Sequence, residues 1–323
     1  MTISPQTKKM LLHTMLRIRM VQEGIESRYL EDEMKTPVHL CVGQEAIAAG
    51  VCAALTREDY IASNHRGHGH YLAKGGDLKA LVAELHGRVD GCSKGFGGSM
   101  HLIDTSVGHM GSSSIVGGCI SIGTGLGLAI KMKGTDQVCA VFFGDGAADE
   151  GVLYESINFA VLKRLPVIFI LENNGWSVCS SVSARQEGRN IFHYAPPDRL
   201  FTGLIDGNDA LAVYEAATEA VERARKGLGP SFLECLTYRI LPHAGCAAQD
   251  ASGYRDQEEI DAWRSRCPVE RLKTDLVEGG ILSPEDVAGM EQEVAGEIEE
   301  AFVFAKNSPK PDSGDLEKNL FCE

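Results

Sequence analysis

Residues 137–176 read "QVCAVFFGDGAADEGVLYESINFAVLKRLPVIFILENNGW". Two continuous apolar runs, 137–143 and 166–171, flank a stretch with helical patterning at 149–164. A strand that is apolar at every position, and not only at alternate ones, suits a parallel sheet covered on both faces. Strand, helix and strand in that order predict a right-handed β-α-β unit. The helix carries acids early and bases late, which complements a helix dipole. The first strand ends at Gly144-Asp145-Gly146 and the second at "ENNGW", residues 172–176. In a parallel sheet both loops open on one carboxyl edge, where ligands bind.

A carboxylate between two glycines, facing an asparagine pair, suits a hard divalent cation. Such ions take carboxylate, amide, backbone and phosphate oxygens, and magnesium is usually held by one or two carboxylates plus substrate phosphates. The glycines allow close backbone approach, and the amides opening the next helix suit an anion. "GDG…NN" therefore reads as a magnesium-diphosphate site. A dinucleotide fingerprint is a second reading of "GDGAAD", with Glu172 in the place of a ribose-binding acid. It lacks the third glycine, replaced by Asp149. Taken alone, Asp145 also fits a plain helix N-cap.

The rest of the 323-residue chain bounds the function. The apolar fraction is 44% and the charged fraction 24%, ordinary for a globular protein. A net charge of −14, with no dense Lys/Arg stripe, argues against a nucleic-acid surface. No run of 18 apolar residues predicts a membrane span. Ten cysteines without a Cys-x-x-Cys pair read as reduced thiols of a cytoplasmic protein. Helices are expected over 5–32, 43–55, the glycine-rich 120–134 and 283–309, and a further strand over 230–240. "NHRGHGHYLAKGGD", 64–77, reads as a polar turn. Its three close histidines also suit a metal cluster, although no carboxylate or thiol pair accompanies them. The Gly/Ser-rich stretch 91–118 is too long for a plain connection.

These motifs occur in the order of one family. "HLCVGQEAIAAGV", "HRGHGHYLAKGGD", "GRVDGCSKGFGGSMHLID", "SSIVGG", "GDGAADEG", "LPVIFILENNGW", "TYR" and "CPVERLKTDLVEGGIL" resemble the alpha subunit of the decarboxylase component of 2-oxo acid dehydrogenase complexes, of pyruvate, branched-chain and acetoin types. The resemblance runs from about Leu11 to Pro311. It implies one thiamine-diphosphate-binding domain over 1–323, a doubly wound parallel α/β sheet, with helical segments at 1–40 and 257–323. It implies Mg2+ held by Asp145, Asn174 and the backbone carbonyl of Trp176, where relatives often have tyrosine. Gly146 and Ala147 would donate amides to the diphosphate, and Arg66 would pair with it. His65, often tyrosine in relatives, would lie beside it, and Ser114 and Val116 would contact the aminopyrimidine side. His68 and His243 would be the catalytic histidines near the substrate. The serine that follows the loop histidine in regulated mitochondrial relatives is Ala244 here, which excludes phosphorylation control at that position. The loop "ILPHAGCAAQDASG", 240–253, is longer and less polar than in pyruvate-type relatives.

The resemblance also implies a divided active site. The glutamate that activates the aminopyrimidine belongs to a separate beta subunit in an α2β2 assembly, and a lipoylated acyltransferase is the acceptor. A two-component carboligase or lyase with the same cofactor, a nicotinamide oxidoreductase and a non-catalytic interaction protein remain as alternatives at this stage.

Overall fold

The computed structural model describes residues 3–187, 200–249 and 253–316. In chain order the strands are β1 (Tyr60–Asn64), β2 (His109–Ser113), β3 (Cys139–Gly144), β4 (Val167–Asn173), β5 (Trp176–Ser177), β6 (Ser180–Ser181), β7 (Phe201–Asp206) and β8 (Ser231–Leu236). The α-helices are α1 (Pro5–Arg28), α2 (Glu45–Ala54), α3 (His68–Ala73), α4 (Leu78–Leu85), α5 (Gly118–Lys133), α6 (Gly151–Lys163), α7 (Val182–Arg185), α8 (Ala210–Arg225), α9 (Gln257–Arg264), α10 (Pro268–Glu278) and α11 (Pro284–Asn307).

Six strands form one parallel sheet in the order β2-β1-β3-β4-β8-β7. The expected β-α-β unit is β3-α6-β4, with Cys139 opposite Val167 and Gly144 opposite Glu172. The alternation of side chains explains why its strands are apolar throughout. Val141, Phe143, Phe169 and Leu171 pack with Ile120, Leu153 and Ile157 of α5 and α6. Ala140, Phe142, Ile168 and Ile170 pack with Ile47, Val51, Val213 and Ala217 of α2 and α8. Each face of the sheet thus has its own helical layer. The glycines of α5 permit the close approach expected of them: a Cβ at Gly123 would lie 2.2 Å from Val141, and one at Gly127 2.2 Å from Val167.

The terminal helices form a second core beside the sheet. Leu11, Leu12, Met15 and Leu16 of α1 bury against Leu272, Leu276 and Val287 of α10 and α11. Ser283 and Asp286 cap α11 reciprocally, as the "SPED" start suggests. No helix among the described residues is long and apolar enough to cross a membrane. The nine described cysteines are free thiols; Cys322, like residues 317–323 of the expected C-terminal segment, lies outside the described residues.

Three sequence expectations change. Residues 64–77 are not a polar turn: β1 ends at Asn64, and α3 carries buried His68 and His70. The acids read as the first turn of α6 precede it. Residues Asp145–Asp149 form a 3₁₀ turn, and α6 starts at Gly151 with no acid in its first turn. The Gly/Ser-rich stretch contains β2 and is wound about one buried carboxylate. Glu84 Oε2 accepts the amides of Ser93 and Gly95 at 2.8 and 2.9 Å, and its Oε1 those of Gly97 and Gly98 at 2.7 and 2.9 Å.

Four backbone amides on one buried carboxylate replace the hydration that burial removes. Glu84→Gln keeps the shape but turns two of the four acceptor contacts into donor–donor clashes. The expected loss is about 3 kcal/mol of unfolding free energy, measured by urea denaturation, with the Gly/Ser-rich stretch becoming the first site of limited proteolysis.

Candidate active site

The carboxyl ends of β1, β3, β4 and β8 meet at a cleft with a cavity volume of about 170 Å3. Each end delivers its own group. β1 ends in Asn64, whose side chain accepts the Arg66 amide at 2.8 Å and turns His65 and Arg66 into the cleft. β3 delivers Asp145, Gly146 and Ala147, and β4 delivers Asn174 and Trp176. The loop after β8 delivers His243, and Ser114 and Val116 form the rim before α5.

The asparagine pair divides its work. Asn173 is tied to the sheet, donating to Glu234 at 2.7 Å and accepting the Gly175 amide at 3.2 Å. Asn174 faces the cleft, where its amide donates to Gln44 at 3.4 Å and its carbonyl oxygen accepts the Trp176 amide at 3.1 Å. A Cβ at Gly146 would lie 2.2 Å from Ser177 Oγ and 2.9 Å from its Cβ, so any larger residue there requires Ser177 to shift.

Asp145 is 1% exposed. Burial pushes its carboxyl above the usual range, against the pull of the Arg185 guanidinium. Arg185, at the end of α7, bridges Asp145 and Asp149. The sequence reading missed Arg185, since the stretch after β4 carries no pattern that points to it. Arg66 is buried and donates to the carbonyl oxygens of Leu40, at 2.7 Å, and His243, at 3.2 Å. Burial, then the charge of Arg239, lowers its pKa to about 9. No carboxylate among the described residues ion-pairs with Arg66. A buried guanidinium answered only by carbonyls fits an anion. The donor set of Asp145, Asn174 and the Trp176 carbonyl fits a hard divalent cation. Together the two fit a magnesium-diphosphate group. Gly146 and Ala147, whose amides the resemblance assigns to a diphosphate, lie in the 3₁₀ turn and not in the first turn of α6.

The three histidines of "HRGHGH" do not converge. His65 enters the cleft, where its ring meets His39 at 4.7 Å and His243 at 5.5 Å between centroids. His70 hydrogen-bonds Ser63 at 2.7 Å and Glu172 at 3.1 Å. Those bonds occupy Glu172, which also accepts from Asn64 at 3.4 Å, and remove the ribose-binding role of the dinucleotide reading. His68 lies outside the cleft lining. Its Nδ1 meets Gln22 at 3.2 Å and its Nε2 meets Ser99 at 2.8 Å, so both nitrogens are spent on holding α1 and the Gly/Ser-rich stretch. His68, expected near the substrate, is thus packed between α1 and the Gly/Ser-rich stretch rather than lining the cleft. His39 and Gln44 also line the cleft; the sequence showed them only within the motif "HLCVGQEAIAAGV", with no role assigned to either.

Burial is the first cause of the low pKa of His68, about 3 against an ordinary 6.5. The unfolded chain takes up this proton below pH 6.5 and the folded chain does not, so stability is lost as pH falls from 6.5 toward 3. His68→Gln removes that proton. Urea unfolding between pH 4.5 and 6 is expected to show a pH slope shallower by about 1.4 kcal/mol per unit.

Over residues 13–313 the chain matches the family described as dehydrogenase E1 component. It is similar to the alpha subunit of acetoin:2,6-dichlorophenolindophenol oxidoreductase of Bacillus subtilis (strain 168), 38% identical over 318 residues that cover 95% of this chain and 91% of that one. It is 39% identical over 304 residues to the pyruvate dehydrogenase E1 component subunit alpha of Rhizobium meliloti (strain 1021), covering 94% and 86% of the two chains. The acetoin oxidoreductase alpha subunit of Cupriavidus necator is 37% identical over 324 residues, covering 98% and 96%.

Proposed function

The chain belongs to the dehydrogenase E1 component family, and from that premise we propose that it is the alpha subunit of a thiamine-diphosphate-dependent 2-oxo acid or acetoin dehydrogenase. The observation that carries this reading is the meeting of Asp145, Asn174 and an ion-unpaired Arg66 in one cleft at the carboxyl edge of the sheet. Asp145, Asn174 and the Trp176 carbonyl would hold Mg2+. Arg66 and the amides of Gly146 and Ala147 would hold the diphosphate. His65 would lie beside it, and Ser114 and Val116 would border the aminopyrimidine. When bound, thiamine diphosphate supplies a nucleophilic carbon that attacks a carbonyl and an electron sink for cleaving the neighbouring bond.

This chain's own residues bind and orient. His243 is held near the cleft by its backbone carbonyl, which accepts from Arg66. Burial, then Arg66, depresses its pKa to about 3. A neutral imidazole donates one hydrogen bond and accepts another, which suits it to orient a substrate carboxylate. A bound diphosphate would raise its basicity and bring it toward proton transfer at neutral pH. Arg185 must release Asp145 before a cation can take its place.

Among the described residues the cleft lacks one group. Its carboxylates are Asp145, in the cation position, and Glu172, engaged by His70 and Asn64. Neither is free to activate an aminopyrimidine nitrogen. Val116 is exposed at the rim with Ile115 beside it, and Ile122, Phe159 and Leu162 are exposed along α5 and α6. An apolar surface next to an incomplete site supports a beta subunit that covers it and supplies the missing carboxylate. A lipoylated acyltransferase as acceptor, Mg2+ as the cation and a cytoplasmic location belong to the same reading.

The test is gentle purification of the tagged chain from its native host, with mass spectrometry of what accompanies it. A stoichiometric second chain with lipoylated acyltransferase and flavin reductase is expected. A second chain without lipoyl proteins would favour the stand-alone carboligase, and no second chain would contradict the divided site.

A further inference from the structure

The side chain of Trp176 is tied to a residue far from it in sequence. Its indole Nε1 donates to Glu259 Oε1 at 3.4 Å, and the other oxygen of that carboxylate accepts the Tyr238 hydroxyl at 3.0 Å. Glu259 stands on α9, 83 positions after Trp176. It does not line the cleft. It reaches the 173–176 turn from a neighbouring cavity, which it lines together with Asn173, Asn174, Gly175 and Trp263. A carboxylate that accepts on both oxygens ties the turn after β4 to the segment after β8.

Neither end of this tie is strongly held by its own element. β5 and β6 are two residues each, and Val178 between them takes a φ of 51°. A β-branched residue keeps that left-handed conformation only where its surroundings fix it. On the other side, α9 buries none of its eight residues. It leans on the fold through Glu259 and through Trp263, whose ring stacks on Tyr238 with centroids 5.5 Å apart and 6° between the planes.

We propose that Glu259 is a positioning residue for the cation site. Through the Trp176 indole it fixes the 173–176 turn, and so couples α9 to the carbonyl that would meet the cation. This role rests on the proposed function, in which the Trp176 carbonyl is a cation ligand. A ligand held by an outer partner is oriented before the ion arrives, and removal of such a partner typically costs about 10–100-fold in metal affinity. A shift of Trp176 would reach a second ligand too, because the side-chain oxygen of Asn174 accepts the Trp176 amide at 3.1 Å. Glu259 itself offers no atom to the cleft, so excess cation should offset its loss. The coupling is reciprocal: if α9 steadies the cation site, an occupied cation site steadies α9.

The test uses the full chain, together with any chain it assembles with, freed of cofactor and metal by dialysis against a chelator. Thiamine diphosphate binding is followed by titration calorimetry at a series of Mg2+ concentrations. Glu259→Ala should raise the Mg2+ concentration for half-maximal binding at least about tenfold, yet bind the cofactor like the unaltered protein once Mg2+ saturates. A purely structural Glu259 would weaken binding at every Mg2+ concentration. Asp261→Ala, which removes an exposed acid of the same helix, should leave the midpoint within about twofold, less than loss of a supporting partner. Hydrogen exchange of the unaltered protein requires no variant to fold: α9 should exchange more slowly with Mg2+ and cofactor bound, and Glu259→Ala should abolish that gain. An unchanged Mg2+ midpoint in Glu259→Ala, a loss that saturating Mg2+ does not restore, or α9 exchange that ignores the cofactor would overturn the positioning role and leave the cation site standing. Binding indifferent to Mg2+ in the unaltered protein would overturn both.

Discussion

A carboxylate buried at the end of a fully apolar strand must be answered by positive charge, and the cleft is arranged around that need. Asp145 sits where β3 leaves the sheet, with apolar side chains behind it on both faces. An unpaired ionised carboxylate there would be costly. In the chain alone Arg185 answers it. The groups beside it are those that would answer it better with a metal ion: an asparagine amide oxygen, a backbone carbonyl, and an arginine left for the counter-anion. The sheet explains their meeting. A parallel sheet with helices on both faces gathers the ends of β1, β3, β4 and β8 at one edge.

The most buried part of this arrangement was legible from sequence. β3 and β4 are apolar at every position and strongly β-forming, so their type and pairing followed. Asp145 and Asn174 stood out because polar residues interrupt such runs only for a reason. β1, β2 and β7 were not legible. β1 is the five residues Tyr60–Asn64, ending in Ser and Asn, while β2 and β7 are the two edges of the sheet. β7 also has a glycine at 203 packed on Leu233. Such short or edge strands lack the continuous apolar run that reveals β3 and β4.

Residues 64–77 show a second limit. A stretch of His, Arg and Gly looks solvated, yet α3 lies inside the protein. Its polar groups are satisfied by partners remote in sequence: His68 by Ser99 and Gln22, 31 and 46 positions away, and His70 by Glu172, 102 positions away. Local patterning cannot show a partner that only the fold supplies. For the same reason the sequence suggested a cluster of neighbouring histidines, whereas the structure joins His65 to His39 and His243. The Glu84 carboxylate that winds the Gly/Ser-rich stretch was hidden in the same way.

The central claim is that the Asp145 cleft binds a diphosphate through a divalent cation. Titration calorimetry of thiamine diphosphate into the cofactor-free assembled protein, with Mg2+ or with chelator, tests it most directly. Binding that requires Mg2+ and weakens at least about a hundredfold in Asp145→Asn is predicted, the scale of about 2.7 kcal/mol for losing a charged ligand. Equal affinity with and without Mg2+, or an Asp145→Asn protein that binds like the unaltered one, would contradict the account.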